Sequence, residues 1–536
     1  MLSRLMKRFG VSCMAVLVSA ALFASPPVSG THPSPVVGPN IPIEGNRPPE
    51  TPFQHWVIPP TTKAELDELP MLSGLLYAQY SRRFGSNGSR PSYPTPPQSG
   101  DPSAFFTTNI TSDATQDIEP AVTRMGGNNI VLGTRWVYTG QPNDPHYLLR
   151  YHTITSFGNF VNDLPLPNGM TNSGDPMLYC GSGSGSYGTR CYAVGLVADD
   201  NAQNTGIAVW YSDNNGVTWT LSLPLVASTA QSPGTYDKPS IAVSWYLNTN
   251  YVFVSYVRIY GASRVMVARS TIGAQSPDGG QTTPWDQNLE VTNSPNLSDP
   301  IVLSAGNTGY VYVVWPDYSV TPQRITLARS PGVNSLQGTW NFDFAGPTGP
   351  FVFPTGQPPN IDYHFLNNLR AFTVPMARYN WIKNRIEVVW HEFEPDPNAG
   401  HTNVIFASKG TDGWTGKQVL NDENPGCDTD QFMPAIDFDA NGNNVVTYYD
   451  RKVNCGNTIY DLRFVQTDER GNILQAPTLA SSFESDPQYD PQPNHTWFFI
   501  GDYQSIWLDG SNSVFYDTWI GTPIQPWADV MLTGIF

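Results

Sequence analysis

Carboxylates, arginines, a histidine and tyrosines stand at matching points along this sequence, each beside a short apolar run. One set comes just ahead of such a run: Glu119, Asp175, Asp237, Asp299, Arg370, Asp430, and Asp502 with Tyr503. A second set follows the alternating run that comes next: Tyr138, Arg258, Asp317, Glu392, Asp450 and Asp517, with His391 and Arg451 adjacent. Two carboxyl groups held close together, one with a raised pKa, can serve as acid and as nucleophile or base in glycoside hydrolysis. The same oxygens are the ligand type that Ca2+ takes, and a Tyr/His pair can remove a proton from a uronic acid. Arginine beside them suits a carboxylate-bearing ligand, because its planar fork gives paired hydrogen bonds. The sequence has no His/Cys cluster of zinc spacing, no Gly-rich phosphate loop and no Gly-x-Ser-x-Gly elbow.

What positions these residues is a repeated pair of strands. Val252 to Arg258, Val311 to Asp317 and Ile386 to Glu392 alternate with the period of two expected of strands. Turns such as Ala440-Asn441-Gly442-Asn443 supply residues that tolerate positive φ in hairpins. The unit recurs seven times, anchored at 119, 175, 237, 299, 370, 430 and 502, and a third and fourth strand follow each hairpin. The last hairpin is followed only by Asp529 to Phe536, and Ala104 to Thr111 can supply the missing strand. The expected fold is therefore all-β, a seven-bladed β-propeller of four-stranded antiparallel blades closed by an N-terminal strand, which protects the sheet edges.

In such a ring the first strand begins and the second ends on one face, so both sets gather at the mouth of the central channel. An acid repeated in nearly every copy reads first as a turn cap, and the departures from the repeat stand out more. Glu392, Asp502, Tyr503, Asp450 and His391 are the candidate catalytic residues, and Arg370, Arg451 and Arg258 the candidate substrate-binding residues.

The chain has 536 residues with 46 Gly, 49 Pro, 12% aromatic and only 14% charged residues, which excludes a polyelectrolyte and a coiled coil. A net charge of -17 opposes a polyanionic partner such as nucleic acid. Residues 1–30 have the basic start, apolar run and small residues of a signal peptide, which implies a secreted or periplasmic protein. Residues 31–103 form a Pro-rich extension with one amphipathic segment, Lys63 to Arg83, and 104–536 the propeller. No transmembrane segment follows the signal. The even set Cys180, Cys191, Cys427 and Cys455 permits two disulfides, and proximity favours Cys180 with Cys191 and Cys427 with Cys455. If Ala440-Asn441-Gly442 forms a three-residue loop, the hairpin register brings Cys427 opposite Cys455.

Ser212-Asp213-Asn214-Asn215-Gly216-Val217-Thr218-Trp219 resembles an Asp box, the S-x-D-x-G-x-T-W turn of the sialidase-like β-propellers, with Asn214 at the usual Asp position. Thr467 to Gly471 and Ser408 to Trp414 are similar, weaker copies. The resemblance covers roughly 105–536 and implies the fold, with the box as a structural turn remote from the active site. The arginine trio and the Phe-Arg-Ile-Pro segment of true sialidases have no counterpart motif here. The expectation is a monomeric glycan-acting propeller that requires no cofactor: a glycoside hydrolase on an anionic or complex carbohydrate, with a noncatalytic glycan- or protein-binding propeller and a polysaccharide lyase as alternatives.

Overall fold

The computed structural model describes residues 106–535 except for connecting segments, the longest of which are 273–284, 346–363 and 488–498. The expectations for the signal peptide and the Pro-rich extension concern residues outside the described ones. Seven antiparallel sheets follow one another along the chain as the blades of a β-propeller. Blades 1 to 6 are residues 116–165, 172–227, 235–290, 301–345, 376–419 and 431–479. Blade 7 takes three strands from 505–535, and Phe106–Asn109 pairs with Asp529–Ile535 as its fourth, Phe106 facing Gly534 and Asn109 facing Met531. A separate hairpin joins His364–Leu366 to Leu369–Ala371.

The blades hold together through their faces. Strand residues alternate between two sides of a sheet, and in a ring both sides meet a neighbouring blade, so both are apolar. Ala121, Ile130, Leu149 and Tyr151 of blade 1 pack with Ala193, Trp210 and Trp219 of blade 2 in one buried cluster. Val389, Val404 and Phe406 of blade 5 join Ile436, Val446 and Tyr448 of blade 6 in another. A tryptophan is wholly buried in each of blades 2, 4, 5 and 7: Trp210, Trp315, Trp390 and Trp519.

One device recurs near the start of the first strand. Glu119-Pro120, Asp175-Pro176, Lys238-Pro239 and Met433-Pro434 each sit at a shift in register, with two residues opposite one on the neighbouring strand. Proline cannot donate to the ladder, and a bulge is where a sheet tolerates it. The residue before each proline is left-handed, with φ of 54°, 50°, 53° and 47°. That conformation is uncommon for a side chain larger than glycine, and it re-aims the side chain relative to a regular strand. The equivalent residues are therefore Glu119, Asp175, Lys238 and Met433, so the repeat anchors at Asp237 and Asp430 are displaced from the true equivalence by the bulge. Counting back from Ser505, where blade 7 begins its ladder, puts Tyr503 at the corresponding point.

The Asp-box turn is a staple between blades. Ser212 Oγ accepts the Gly216 amide at 3.0 Å, and Asn214 Oδ1 accepts the Thr218 amide at 2.9 Å. Thr153 and Tyr151 of blade 1 donate to the Gly216 and Val217 carbonyls at 2.6 and 3.2 Å. Gly216 has φ of 78°, and a Cβ there would lie 2.5 Å from Ile130 Cδ1. In blade 6 the Asp468 carboxylate accepts the Arg470 and Asn472 amides at 2.8 and 2.9 Å, which makes a second such turn.

Cys180 and Cys191 form a disulfide at the loop end of the first hairpin of blade 2, where they are paired across the strands. Cys427 and Cys455 lie outside the described residues. The Ala440-Asn441-Gly442 loop does have three residues, with Asp439 accepting no slip against Asn443: the Asp439 amide donates to the Asn443 carbonyl at 2.8 Å. The ladder then shifts by one between Phe432 and Ala435, ahead of the two cysteines.

Candidate functional site

The left-handed bulges of adjacent blades converge. The Asp175 amide donates to Glu119 Oε2 at 3.2 Å, which sets the two carboxyl groups side by side. Lys238 from blade 3 forms an ion pair with Asp502, just ahead of blade 7. Tyr503 donates its hydroxyl to the Pro176 carbonyl at 2.7 Å, reaching from blade 7 to the bulge of blade 2. Glu119, Asp175, Lys238, Asp502 and Tyr503 thus form one group contributed by blades 1, 2, 3 and 7, and each is buried.

Burial and the neighbouring Glu119 carboxyl hold the Asp175 pKa well above the ordinary carboxyl range, and Lys238 opposes them. Among the described residues no protein N–H or O–H donates to either Asp175 carboxyl oxygen. What faces it is the Glu119 carboxyl, and two acids in such contact favour holding a proton between them. The pair is therefore arranged as one acid and one carboxylate, beside an ammonium already neutralised by Asp502.

Four residues further along the first strands lies a second layer of contacts. Arg378 stands 3.9 Å from Asp437 and over the Trp507 ring, and Tyr179 meets the same ring edge-on at 6.0 Å. Leu508 donates its amide to Asp437 at 2.7 Å, so blades 2, 5, 6 and 7 are joined here too.

The residues singled out from sequence fall into separate places. Asp502 and Tyr503 belong to the group just described. Around the first strand of blade 6, His391 Nδ1 accepts the Met433 amide at 3.3 Å, and Arg451 lies 3.5 Å from Asp430 with its guanidinium over Phe432. Asp450 accepts Gln431 Nε2 at 3.1 Å and the Lys452 amide at 2.8 Å, and pairs with Arg463 at 3.0 Å. Glu392 accepts the Trp390 indole at 3.0 Å and pairs with Lys417. Arg258 pairs with Arg264 across the strands of blade 3, near Glu290, whose pKa burial raises against the opposing charges of Arg264 and Arg258. Arg370 pairs its backbone with Phe365 in the small hairpin.

Sequence reasoning missed Lys238 and set Glu119 and Asp175 aside as repeated turn residues. The signal that could have found them is the proline. Aligning the copies on the residue before it puts Glu, Asp, Lys and Met at one backbone position. Among the described residues no group of three or more His, Cys, Asp or Glu is arranged to hold a metal ion.

No protein-family model matches the sequence, and no curated protein matches it either. The fold is similar to several solved structures. One is the α-L-arabinanase of Penicillium chrysogenum complexed with arabinobiose, at 11% identity over 81% of this chain and 98% of that one, with a TM-score of 0.38. Another is the NanB sialidase of Streptococcus pneumoniae, at 8% identity over 68% of this chain and 70% of that one, with a TM-score of 0.39. A third is a PL25 ulvan lyase, at 8% identity over 80% of this chain and 95% of that one, with a TM-score of 0.44.

Proposed function

We propose that this chain is an exported propeller that acts on glycans, a glycoside hydrolase with Glu119 and Asp175 as its working carboxyl pair. The observation that carries the reading is the Asp175 carboxyl, buried against Glu119 with no protein donor to its oxygens among the described residues. Sugar hydroxyls are the donors such a site is short of. Met433 occupies the same backbone position in blade 6, so an apolar side chain is compatible with the bulge. Burying an acid pair there is costly for stability, and that pattern is typical of groups kept for chemistry.

In this reading Asp175 holds the proton and delivers it to the glycosidic oxygen. Glu119, which accepts the Asp175 amide, stays ionised and attacks or stabilises the anomeric carbon. Tyr503 fixes blade 7 against the bulge of blade 2, and Lys238 with Asp502 sets the local charge. The disulfide at Cys180 and Cys191 supports export. Monomeric state and a chemistry that requires no cofactor are part of the same proposal.

One observation favours a second reading, in which the group only locks the ring and any glycan binds without being cleaved: Glu119 and Asp502 are both 0% exposed. The test is product analysis on a panel of neutral and acidic glycans with wild type, Glu119→Gln and Asp175→Asn, each checked for native folding by near-ultraviolet circular dichroism. Hydrolysis is expected from wild type, with turnover in each variant reduced on the order of 100-fold or more. Unchanged turnover in both variants refutes the assignment of the pair. Glycan binding without any product supports the second reading.

A further inference from the structure

The proposed glycan site has a definite charge. The charged groups that act on Asp175 are Glu119, Lys238 and Asp502, and the only cation among these three is already paired with Asp502. Several of the described arginines that a carboxylate or sulfate on a sugar could use are committed elsewhere. Arg451 is wholly buried with Asp430, Arg463 pairs with Asp450 and Asp461, Arg378 with Asp437, and Arg264 with Glu290. The Asp175 oxygens, by contrast, are acceptors facing no protein donor among the described residues.

Resting on the hydrolase reading, we infer that the sugar unit seated at Glu119 and Asp175 is uncharged, recognised through its hydroxyl donors, and that a unit carrying a carboxylate or sulfate is excluded there. The physical reason is repulsion in a dry place. An anion brought to within about 5 Å of a carboxylate, at an effective dielectric near 20, is disfavoured by roughly 100-fold in binding. Lys238 cannot offset this without leaving Asp502 as an uncompensated buried charge, which is itself strongly unfavourable. This departs from the anionic ligand that Arg370, Arg451 and Arg258 suggest from sequence.

Binding of two polymers of the same linkage, a neutral hexose polymer and its uronic acid counterpart, measured by calorimetry on the full chain and on Glu119→Gln, tests the inference. Wild type is expected to bind the neutral polymer at least tenfold more tightly, and Glu119→Gln to narrow the gap, because the variant removes the ionised carboxylate of the pair. Equal or tighter binding of the acidic polymer overturns the inference while leaving the glycan reading intact. So does a gap that Glu119→Gln leaves unchanged, since selection would then arise elsewhere. If the glycan panel yields neither binding nor product, the parent reading fails, and this one with it.

Discussion

Gly501 of the segment leading into blade 7 rests directly on Glu119 of blade 1: a Cβ there would stand 2.8 Å from the Glu119 amide nitrogen and 3.0 Å from its Cγ. Gly501 also has φ of 102°, a conformation that side-chain-bearing residues rarely adopt. Gly501→Ala is expected to destabilise the fold by about 1–3 kcal/mol and to displace Glu119. Denaturant unfolding reads the first effect and turnover the second. Wild-type stability in this variant would show that the contact is looser than described.

The Asp box should matter for stability and not for the axial chemistry. Asn214→Ala removes an acceptor for the Thr218 amide, a loss of about 1 kcal/mol by analogy with helix caps. Gly216→Ala should be worse, since the new methyl meets Ile130 and the backbone is left-handed. Thermal unfolding should rank the two in that order, with glycan affinity at 20 °C or below unchanged while both remain folded. A large loss of affinity in a folded Asn214→Ala protein would contradict the box's remoteness from the site.

Asp517 supplies a pH signature. It is buried between blades 6 and 7 with Thr447 donating to it at 2.5 Å, and burial pushes its pKa from 3.8 up to about 8. The folded state therefore keeps this proton where the unfolded chain has released it. Its contribution is undiminished below the unfolded value, and stability falls as pH rises from about 4 towards 8. Asp517→Asn should remove that slope, so its stability relative to wild type should improve with rising pH by about 1.4 kcal/mol per unit across the window. Parallel pH profiles for the two proteins would disprove the burial effect.

Cys180→Ser with Cys191→Ser is expected to cost roughly 2–4 kcal/mol, because the open chain regains the loop entropy that the bridge removes. Peptide mapping without reduction should find this bridge and the second one expected between Cys427 and Cys455. A link from Cys191 to Cys427 would overturn both.

The strands were legible because alternation survives in them: Val311 to Asp317 and Ile386 to Glu392 appear in the ladder within a residue of where the pattern puts them. The disulfide of Cys180 and Cys191 was legible from proximity. The candidate site was only half legible. Tyr503 was visible as a departure from the repeat and Asp502 as one of its anchors, but Lys238 was hidden by Asp237 beside it. An acid next to a Lys-Pro pair reads as the repeated acid until the bulge turns the lysine inward. The pairing of Lys238 with Asp502 spans 264 positions and is set by where the ring returns on itself, which no local pattern records.

The turn glycines lean in one direction. Gly216 in blade 2 fits against Ile130 of blade 1, and Gly471 in blade 6 fits against Phe406 of blade 5. As the chain leaves the ribosome, each of these turns meets a surface that has already been synthesised. Blade 1 is the exception. Its Val122 amide is met by Ser505 Oγ at 3.3 Å and its Glu119 by Gly501, both translated near the end. The ring thus has a seam that only the final blade can seal. Glu119 lies on it, so the carboxyl pair reaches its full set of neighbours last, and a chain halted before residue 501 would carry six blades and an incomplete centre.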